Sequence, residues 1–372
     1  MTTIWRPEKI DVSSSQRLPA YSQSEILPIA EDRWFWDFAP VVDPTGCKYT
    51  MDGAEYWLAL SAPKSANASH RHFVASLAVL RFAHERWSYI GDLQLRDTHP
   101  GNREWAGMAV IEGAELRVYF TSAGLRETPE TGYQQKLWAA TGPVSVLLKP
   151  GTCKEWRDTG ELVSAKPGPY LPADQADGEP GKIHAFRDPF FFTSLANNDR
   201  YFVFSASSSQ VSSSWNGCVG LATFNSSSEC WEHRPPLIVS DGTSTELERA
   251  HVIPHDGHYY LFWSTPGYTF NPAVAAPTGL YGAVSDRIDS GYRLLNGSGL
   301  VAANPEERPS QDYSWYVSRD LQVQGFVDLP GQQPGMPSGD PDSQRFAGTA
   351  SPRFFLQLDG DRASVILQQD TD

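Results

Sequence analysis

One short apolar phrase recurs along this chain, and its recurrence constrains the fold more than any other feature. The copies EYWLALS, LRVYFTS, RYFVFSA and HYYLFWS contain Ser61, Ser122, Ser205 and Ser264, and a weaker fifth copy, VQGFVDL, reaches Asp328. Each copy alternates or runs apolar over about six residues, as is typical of a buried central strand. Five such strands, spaced roughly 60 to 80 residues apart, indicate a repeat architecture.

The segments around each copy indicate what the repeated unit is. A second strand rich in small residues follows most copies, as in FVASLAVL and GLYGAVS, and a third follows several, as in RWSYIGDL and CWEHRPPL. The chain has 30 Gly and 28 Pro, which supply turns between antiparallel strands. We therefore predict an all-β fold, a five-bladed β-propeller with a deep axial pocket. A β-sandwich is the alternative, but it does not account for the regular spacing.

The repeats also predict the domain organisation. Residues 25–372 form a single propeller domain in this interpretation, and residues 1–24 form an N-terminal extension.

A polar cluster stands just before each copy, within a segment that otherwise resembles a strand. Because the first strand of a propeller blade is the innermost, we expect the five clusters to meet at the axis. The Arg-Asp-Pro of HAFRDPFFFT is one of them, which explains charged residues in a strand that otherwise looks buried. The clusters contain Asp37, Glu104, Arg187, Asp188, Glu246, Glu248 and Arg249, with Trp36, Trp105, His251 and Tyr313.

These residue types in one pocket indicate sugar chemistry. Buried carboxylates are costly unless they are paired, so several of them with two arginines point to function. Taken singly, each cluster is more often an ion pair, a solvated surface or a cap; their joint recurrence favours a site. Neighbouring carboxyls split their pKa values, which lets one attack while the other donates a proton, as in a retaining glycosidase. The flat aromatic faces would stack on sugar rings.

Charge and cysteine content exclude other classes of function. The formal net charge of −14 argues against a nucleic-acid partner, which needs a basic surface. The sequence contains no stretch of about 20 apolar residues, so we predict no membrane span. The four cysteines form no CxxC pair, so we expect no zinc site. Cys218 and Cys230 could pair across a hairpin, although free thiols are the simpler expectation.

The ordered motifs resemble those of the levansucrase family, glycoside hydrolase family 68. FWDFAP resembles the family's nucleophile strand, REWAG its EW(S/A)G motif, FRDP its transition-state motif, and ELERAHV its acid/base segment. GLYGAVSD, LLNGSGLV, NPEERPSQDYSWYV, GFVD and RFAGTASP follow in the family's order. The resemblance covers about residues 25 to 365 and implies a five-bladed propeller that acts on sucrose without a cofactor.

The resemblance also implies roles for individual residues. Asp37 would attack the anomeric carbon of the fructosyl unit, Glu248 would act as acid and then base, and Asp188 would stay ionised and hold fructosyl hydroxyls. Six further residues would bind substrate or orient these carboxylates: Trp36, Trp105, Arg187, Glu246, Arg249 and Tyr313. With water as acceptor the product would be fructose; with a sugar it would be an oligosaccharide or a levan.

Several positions depart from the family pattern. STPGYTFNP, with Pro266 and Gly267, stands where many members carry a basic residue that helps bind glucose or the acceptor, so we expect weaker polymerisation. Ala250 replaces the proline of the acid/base segment, and Ala106 replaces a common serine. Thr245 stands where some members have a calcium-binding aspartate, so we expect no metal.

Three alternatives remain open at this point. A pure β-fructofuranosidase would use the same residues for hydrolysis alone. Another five-bladed glycosidase is disfavoured, because the invertase-type WMNDPNG strand and appended β-sandwich are not visible. A non-catalytic sugar-binding propeller is disfavoured by the presence of Asp37 and Glu248. We expect sucrose and sugar acceptors as partners and an extracellular or periplasmic location without a classical signal peptide, with a cytoplasmic location as the alternative. Linkage type and oligomeric state are not predicted.

Overall fold

The computed structural model describes residues 2–7, 9–127, 132–153, 156–173, 184–194, 196–334 and 345–367. Within these residues the chain is predominantly β-strand, with a few short 3-10 helices. The strands form successive antiparallel blades in which each strand pairs mainly with its neighbour in sequence. The predicted five-bladed β-propeller is confirmed.

The strands of the first three blades follow a short N-terminal strand, β1 (Thr3–Trp5). Blade one consists of β2 (Arg33–Val42), β3 (Thr50–Met51), β4 (Ala54–Pro63), β5 (Ser76–Ala83) and β6 (Arg86–Asp92). Blade two consists of β7 (Arg103–Glu112), β8 (Glu115–Ala123), β9 (Gln135–Pro143) and β10 (Arg157–Glu161). Blade three consists of β11 (Phe186–Thr193), β12 (Arg200–Ser207), β13 (Gly217–Asn225) and β14 (Cys230–Ser240).

Two further blades complete the propeller. Blade four consists of β15 (Glu248–His255), β16 (His258–Thr265), β17 (Gly279–Ser285), β18 (Arg293–Leu294) and β19 (Leu300–Ala303). Blade five consists of β20 (Asp312–Val317), β21 (Gln322–Val327), β22 (Thr349–Ala350), β23 (Phe354–Asp359) and β24 (Arg362–Ile366). The 3-10 helices are Ser14–Gln16, Ala68–Phe73, Arg96–Thr98, Val144–Leu147 and Gly267–Thr269.

The inner strands β2, β7, β11, β15 and β20 pack against one another in a ring. Each contacts the inner strand of the next blade, and β20 contacts β2 to close the circle. Between blades one and two the contact includes a short parallel pairing of β2 with β7. Between blades five and one, the Phe35 N–H donates to the Gly348 carbonyl at 2.8 Å. The ring places the first strand of every blade at the axis.

Small residues in the third strand of a blade let the central strand carry aromatic rings. A Cβ atom at Gly220 on β13 would lie 2.4 Å from ring atoms of Phe204 on β12. A Cβ atom at Gly282 on β17 would likewise lie 2.9 Å from the Phe262 ring on β16. The small-residue runs in the sequence are therefore packing partners of the recurring aromatic phrase.

Every inner strand carries a β-bulge at the same level of the propeller. In blade three, Arg187 pairs with Ser205 and Phe190 with Val203, so β11 holds one residue more than β12 over this stretch. The same one-residue excess occurs in β2, β7, β15 and β20. A bulge is also one of the few sheet positions that tolerate proline, which accounts for Pro189.

Four of the bulges place a non-glycine residue in the left-handed region. Asp37, Asp188, Arg249 and Ser314 have φ values of 56°, 59°, 55° and 58°. Such values are uncommon for residues with a Cβ atom and cost free energy. Strained backbone clusters at functional sites, so its recurrence at equivalent positions of four blades makes this level of the axis a candidate site.

The segment predicted as an N-terminal extension packs across blades three to five. Strand β1 pairs in parallel with β14 of blade three. The Trp5 ring is fully buried against Trp263 and Tyr281 of blade four. The Tyr21 hydroxyl donates to Asp312 in blade five at 2.8 Å. Three blades therefore share contacts with this segment.

Two smaller observations complete the fold. Cys218 and Cys230 are unpaired: Cys218 is buried, Cys230 is exposed, and they sit at opposite ends of the β13–β14 hairpin. Among the described residues, no helix has both the length and the apolar character needed to cross a membrane.

Candidate active site

A cavity of about 1020 Å³ opens along the propeller axis. This volume lies just above the usual range for ligand pockets, which is about 300–1,000 Å³. All nine residues predicted from the sequence line it: Trp36, Asp37, Trp105, Arg187, Asp188, Glu246, Glu248, Arg249 and Tyr313. The predicted convergence of the five inner strands on one pocket is therefore observed.

The bulges explain how consecutive residues of one strand reach the same cavity. Side chains normally alternate between the two faces of a strand, but a bulge re-aims one of them. The pairs Trp36–Asp37, Trp105–Ala106, Arg187–Asp188 and Glu248–Arg249 each straddle a bulge, and both members line the cavity. The adjacent arginine and aspartate of HAFRDPFFFT are thus both available to a ligand.

Arg187 organises the acidic residues of blade four. Its Nη2 atom lies 2.7 Å from Glu248 Oε1 and 3.2 Å from Glu246 Oε1. The Tyr313 hydroxyl donates to the other oxygen of Glu248. The Nη1 atom of Arg187 donates to Gln135 Oε1 at 3.3 Å, which fixes the guanidinium from blade two. Glu248 is therefore held from two sides by hydrogen-bond donors.

Asp188 is held by hydrogen bonds to residues of three blades. Its Oδ2 atom accepts from the Ser205 hydroxyl at 3.0 Å and from the Arg249 backbone N–H at 3.1 Å. Its own N–H donates to Thr121 Oγ1 at 2.9 Å. The side chain is 5% exposed, so its carboxylate has one orientation and little access to bulk water. This arrangement suits a fixed acceptor for ligand hydroxyls.

Asp37 lies next to the guanidinium of Arg249, which is anchored on the strand that carries Asp37. The Arg249 Nη2 atom donates to the carbonyls of Asp37 and Phe38, at 3.3 and 3.1 Å. Burial raises the pKa of Asp37 to about 6, and the nearby carboxylates of Asp188 and Glu248 act in the same direction, whereas Arg249 opposes them. A carboxyl with this pKa is ionised at neutral pH but only moderately basic.

The pKa values of Asp188 and Glu246 are shifted in the same direction. Burial raises the pKa of Asp188 despite the neighbouring arginines. Burial also raises the pKa of Glu246, and the Glu248 carboxylate adds to the effect. The pKa of Arg187 is raised, because Glu246, Glu248 and Asp188 together outweigh its burial. Several carboxyls with shifted pKa values around one cation are a feature of catalytic sites.

Two residues of the predicted clusters lie outside the cavity. Glu104 is buried between blades one and two, where it accepts from the Leu77 N–H and contacts His99 Nε2 at 3.0 Å. His251 accepts from the Val317 N–H at Nε2, so its Nδ1 carries the proton and donates to the Arg249 carbonyl at 2.9 Å. Burial lowers the pKa of His251 to about 3, so its ring is neutral and holds the bulge in place.

The lining residues that were not among the predicted site residues include Arg71, His72, Tyr268 and Asp328. Arg71 and His72 belong to the 3-10 helix Ala68–Phe73, in a loop between β4 and β5. In the sequence, Asp328 is the end of the fifth apolar phrase, and Tyr268 lies in the divergent segment after β16. The charged run HRH between two apolar strands was the available signal for the first pair.

The geometry suits displacement at a sugar carbon through two carboxyls. Asp37 and Glu248 come from different inner strands and face one cavity. Arg249 donates to the backbone carbonyl of Asp37, and Arg187 contacts the Glu248 carboxylate. The aromatic rings of Trp36, Trp105 and Tyr313 supply flat walls. No group of three or more His, Cys, Asp or Glu side chains is arranged to hold a metal ion within the described parts of the chain.

Comparison with known sequences finds levansucrase relatives along nearly the whole chain. A family model described as levansucrase/invertase matches residues 16–216 and 209–371. The levansucrase of Rahnella aquatilis is 26% identical over 411 aligned residues, covering 98% of this chain and 94% of that protein. The levansucrase of Zymomonas mobilis is 27% identical over 373 residues, covering 91% and 84%.

Comparison with solved structures finds the same fold in other proteins. An inulosucrase from Halalkalicoccus jeotgali, solved with bound kestose, superposes with a TM-score of 0.86 at 30% identity, covering 99% of this chain and 97% of that one. The levansucrase from Gluconacetobacter diazotrophicus shares the fold, with a TM-score of 0.78 at 21% identity over 98% of this chain and 90% of that one. The catalytic domain of a β-fructofuranosidase from Microbacterium saccharophilum does so with a TM-score of 0.81 at 22% identity, over the same shares of the two chains.

The ordered motifs, the fivefold bulged inner strands and the acidic axial cavity agree with these matches. The chain belongs to the levansucrase/invertase family, glycoside hydrolase family 68.

Proposed function

We propose that this protein cleaves sucrose through a covalent fructosyl–enzyme intermediate and transfers the fructosyl unit to water or to a sugar. The observation that carries the proposal is the pairing of two differently held carboxyls in one cavity. Asp37 lies beside the Arg249 guanidinium, and Glu248 is held by Arg187 and Tyr313. The family membership supplies the substrate class, since curated relatives are levansucrases.

In the first step, an Asp37 carboxylate oxygen attacks the anomeric carbon of the fructosyl unit. The bond from that carbon to the glucosyl oxygen breaks, and Glu248 gives its proton to this oxygen as glucose departs. The carbon develops positive charge in the transition state, which the ionised Asp188 next to it stabilises. Trp36 and Trp105 hold the ring by stacking, and Arg249 fixes the backbone that carries the attacking carboxylate.

In the second step, Glu248 acts as a base. It removes the proton from an acceptor hydroxyl, whose oxygen attacks the fructosyl carbon and releases the Asp37 carboxylate. Two inversions at this carbon give net retention of configuration. Water as acceptor yields fructose, and a sugar hydroxyl yields a fructo-oligosaccharide or a fructan.

Hydrolysis alone is the second candidate, and one observation favours it. The segment after β16 places Tyr268, rather than a basic residue, at the cavity wall. A β-fructofuranosidase is also among the structures that share this fold. Both candidates use the same residues and differ only in the acceptor.

The time course of sugar release tests the proposal and separates the two candidates. The purified protein is incubated with sucrose, and free glucose and free fructose are measured separately. We expect glucose to exceed fructose, with the missing fructosyl units recovered in oligosaccharides. Equal amounts would leave hydrolysis as the whole reaction. Sucrose binding without release of either sugar would overturn the proposal in favour of a binding protein.

The proton needed by Glu248 is shared with Glu246 in this proposal. Both carboxyls contact Arg187 Nη2, and Glu248 also accepts from Tyr313, so the ionised form of Glu248 is the better hydrogen-bonded of the two. The raised pKa of Glu246 then keeps a proton within the pair in the empty site. Substrate binding displaces these contacts, and the proton moves to the oxygen that faces the leaving group.

We expect a bell-shaped dependence of kcat/KM on pH. Asp37 must be ionised to attack, so activity falls about tenfold per pH unit below its pKa of about 6. The alkaline limb reports loss of the proton shared by Glu246 and Glu248. Glu246→Gln should move the alkaline limb to lower pH, since the shared proton loses one of its carriers, and should leave the acid limb in place. An unchanged alkaline limb in this variant would assign the proton to another group.

A further inference from the structure

The apolar phrase that recurs through the sequence carries hydroxyl residues near its end, and three of them occupy equivalent positions in blades two, three and four. Each stands opposite the last paired residue before a bulge: Thr121 on β8, Ser205 on β12 and Ser264 on β16. We name these three side chains the bridging hydroxyls. All three are fully buried, and none of them borders the cavity. Any effect that they have on a bound sugar must therefore pass through other residues.

Two bridging hydroxyls accept hydrogen bonds from bulges of the next blade. The extra residue of a bulge interrupts the ladder, so a buried N–H there needs another acceptor. In blade three the N–H of Asp188 donates to Thr121 Oγ1 of blade two at 2.9 Å. In blade five the N–H of Trp315 donates to Ser264 Oγ of blade four at 3.1 Å. In both cases the acceptor comes from the preceding blade.

The bulge of blade four is held in a similar way, through one more side chain. The Ser205 hydroxyl donates to Asp188 Oδ2 at 3.0 Å, and the same oxygen accepts from the Arg249 N–H at 3.1 Å. The hydroxyl of blade three therefore orients the carboxylate that holds the bulge of blade four. Blades two to five are thus joined in sequence at the level of their bulges.

The two blades without a hydroxyl at this position support the same interpretation. The equivalent residues are Leu60 in blade one and Phe326 in blade five. Blade two follows Leu60, and none of the residues described for its bulge is in the left-handed region. Blade one follows Phe326, and its bulge is held instead by Arg249 Nη2, which donates to the carbonyls of Asp37 and Phe38. Each left-handed bulge is therefore secured by a polar group from another blade.

The bridging hydroxyls lie behind residues with different parts in the proposed reaction. Thr121 holds the backbone of Asp188, the carboxylate next to the fructosyl carbon. Ser264 holds Trp315, two residues after Tyr313, whose hydroxyl donates to Glu248. A strained backbone keeps its conformation only where the surrounding structure holds it. Displacement of a reacting group by about 1 Å can lower a rate roughly 10²-fold.

We propose that Thr121, Ser205 and Ser264 are positioning residues for the reaction, each of which fixes the bulge of the following blade. Thr121 and Ser205 act through Asp188 on the positive charge that develops at the fructosyl carbon. Ser264 acts through Tyr313 on proton transfer by Glu248. Equivalent residues of one repeat therefore support different parts of the chemistry. This inference rests on the proposed function of the cavity.

Ser264→Ala should impair proton transfer selectively. Sucrose needs a proton on its glucosyl oxygen, whereas an aryl β-fructofuranoside with an acidic phenol departs without one. We expect kcat/KM to fall roughly 10- to 100-fold on sucrose and less than about threefold on the aryl donor. The ratio of the two values does not depend on how much of the protein is folded, so a purely structural loss leaves it unchanged.

The control for this variant makes the same change at a buried serine that holds nothing. Ser318 is 2% exposed, and its hydroxyl has no hydrogen-bond partner among the described residues. Ser318→Ala should keep the donor ratio of the unaltered protein.

Thr121→Val should slow both donors alike, because both carry the fructosyl carbon on which Asp188 acts. Valine keeps the shape of threonine and removes the acceptor of the Asp188 N–H. We expect kcat/KM per folded molecule to fall about tenfold or more on each donor, with the folded amount measured by circular dichroism. Thr121→Ser should restore most of the loss. Thr141→Val is the matched control, since the buried Thr141 hydroxyl has no hydrogen-bond partner among the described residues.

Two results would overturn the inference: an unchanged donor ratio in Ser264→Ala, or normal activity per folded molecule in Thr121→Val with only a lower melting temperature. Either would make the bridging hydroxyls part of the fold alone. Should Thr121→Val not fold, Ser205→Ala takes its place, because Ser205 acts through the same carboxylate. Failure of the proposed function is a different result, in which the unaltered protein releases neither glucose from sucrose nor phenol from the aryl donor.

Discussion

Replacing Asp37 with asparagine is expected to abolish sucrose cleavage, with kcat at least about 10⁴-fold lower, as is usual for loss of a nucleophile. An amide has no charge with which to attack the fructosyl carbon, and no other carboxylate occupies the same position relative to Glu248. Asparagine is the informative replacement because Asp37 has a φ of 56°. Asparagine tolerates this left-handed conformation, whereas alanine would add backbone strain to the chemical loss.

The control for this variant makes the same chemical change at the same backbone conformation. Asp52 has a φ of 52° and lies exposed in the turn between β3 and β4, away from the cavity. Asp52→Asn should retain normal glucose release and normal thermal stability. A folded Asp37→Asn protein with more than about one hundredth of normal kcat would show that Asp37 is not the nucleophile, since direct loss of covalent catalysis leaves far less.

Replacing Glu248 with glutamine is expected to lower kcat on sucrose roughly 10²- to 10⁴-fold, the usual contribution of general acid–base catalysis. Glutamine preserves the shape that Arg187 and Tyr313 contact but cannot deliver a proton to the glucosyl oxygen. The effect should depend on the leaving group. An aryl β-fructofuranoside with an acidic phenol departs without protonation, so its first step should remain fast.

The second step of this variant should then be slow, because Glu248 can no longer activate water. We expect a burst of phenol followed by slow turnover, and added azide, which needs no base, should restore turnover and give fructosyl azide. Equal losses on sucrose and the aryl donor, without a burst, would contradict the acid/base role of Glu248. The aryl donor serves as the internal control for folding.

The blade architecture could be predicted because it depends on features that sequence displays directly. Apolar runs mark buried central strands, and glycines such as Gly220 and Gly282 mark where aromatic rings of the next strand pack. The order of strands within a blade follows from short connections. Polar residues in an otherwise buried strand then identify the axis, because burial of a polar group costs free energy unless the group is paired or lines a site.

The exact alignment of the blades could not be predicted. The phrases place Ser61, Ser122, Ser205 and Ser264 at equivalent positions, but Ser205 pairs with Arg187 and Ser264 with Glu248, whereas Ser61 and Ser122 pair one residue further from the bulge. A one-residue slip reverses the face to which a side chain points. Where both faces of a strand are apolar, hydrophobicity does not show which face a given residue occupies. It therefore could not reveal this slip.

Asp328 shows the consequence of that uncertainty. In blade five the residue opposite Tyr313 is Phe326, so Asp328 lies two residues beyond the position that the phrase suggested. It follows the end of β21 and borders the cavity instead of belonging to the strand. A carboxyl that borders the cavity was therefore interpreted from the sequence as part of a strand repeat.

The bulges and the loop residues that line the cavity depend on relations that a single sequence does not contain. A bulge is defined by pairing with a second strand, so the left-handed conformations of Asp37, Asp188 and Arg249 have no local signature beyond the tolerance of aspartate for it. Arg71 and Tyr268 belong to connections of different blades, and closure of the propeller brings them to the same cavity. Their shared position is a property of the closed ring.

Detection of the covalent intermediate tests the central claim most directly. The Glu248→Gln variant is mixed with the aryl β-fructofuranoside, quenched in acid during the slow second step, digested with pepsin and analysed by mass spectrometry. The account predicts one added fructosyl unit on the peptide that contains Asp37, and none when Asp37→Asn is combined with Glu248→Gln. A fructosyl unit on another carboxylate such as Asp188, or phenol release with no labelled peptide at all, would contradict it.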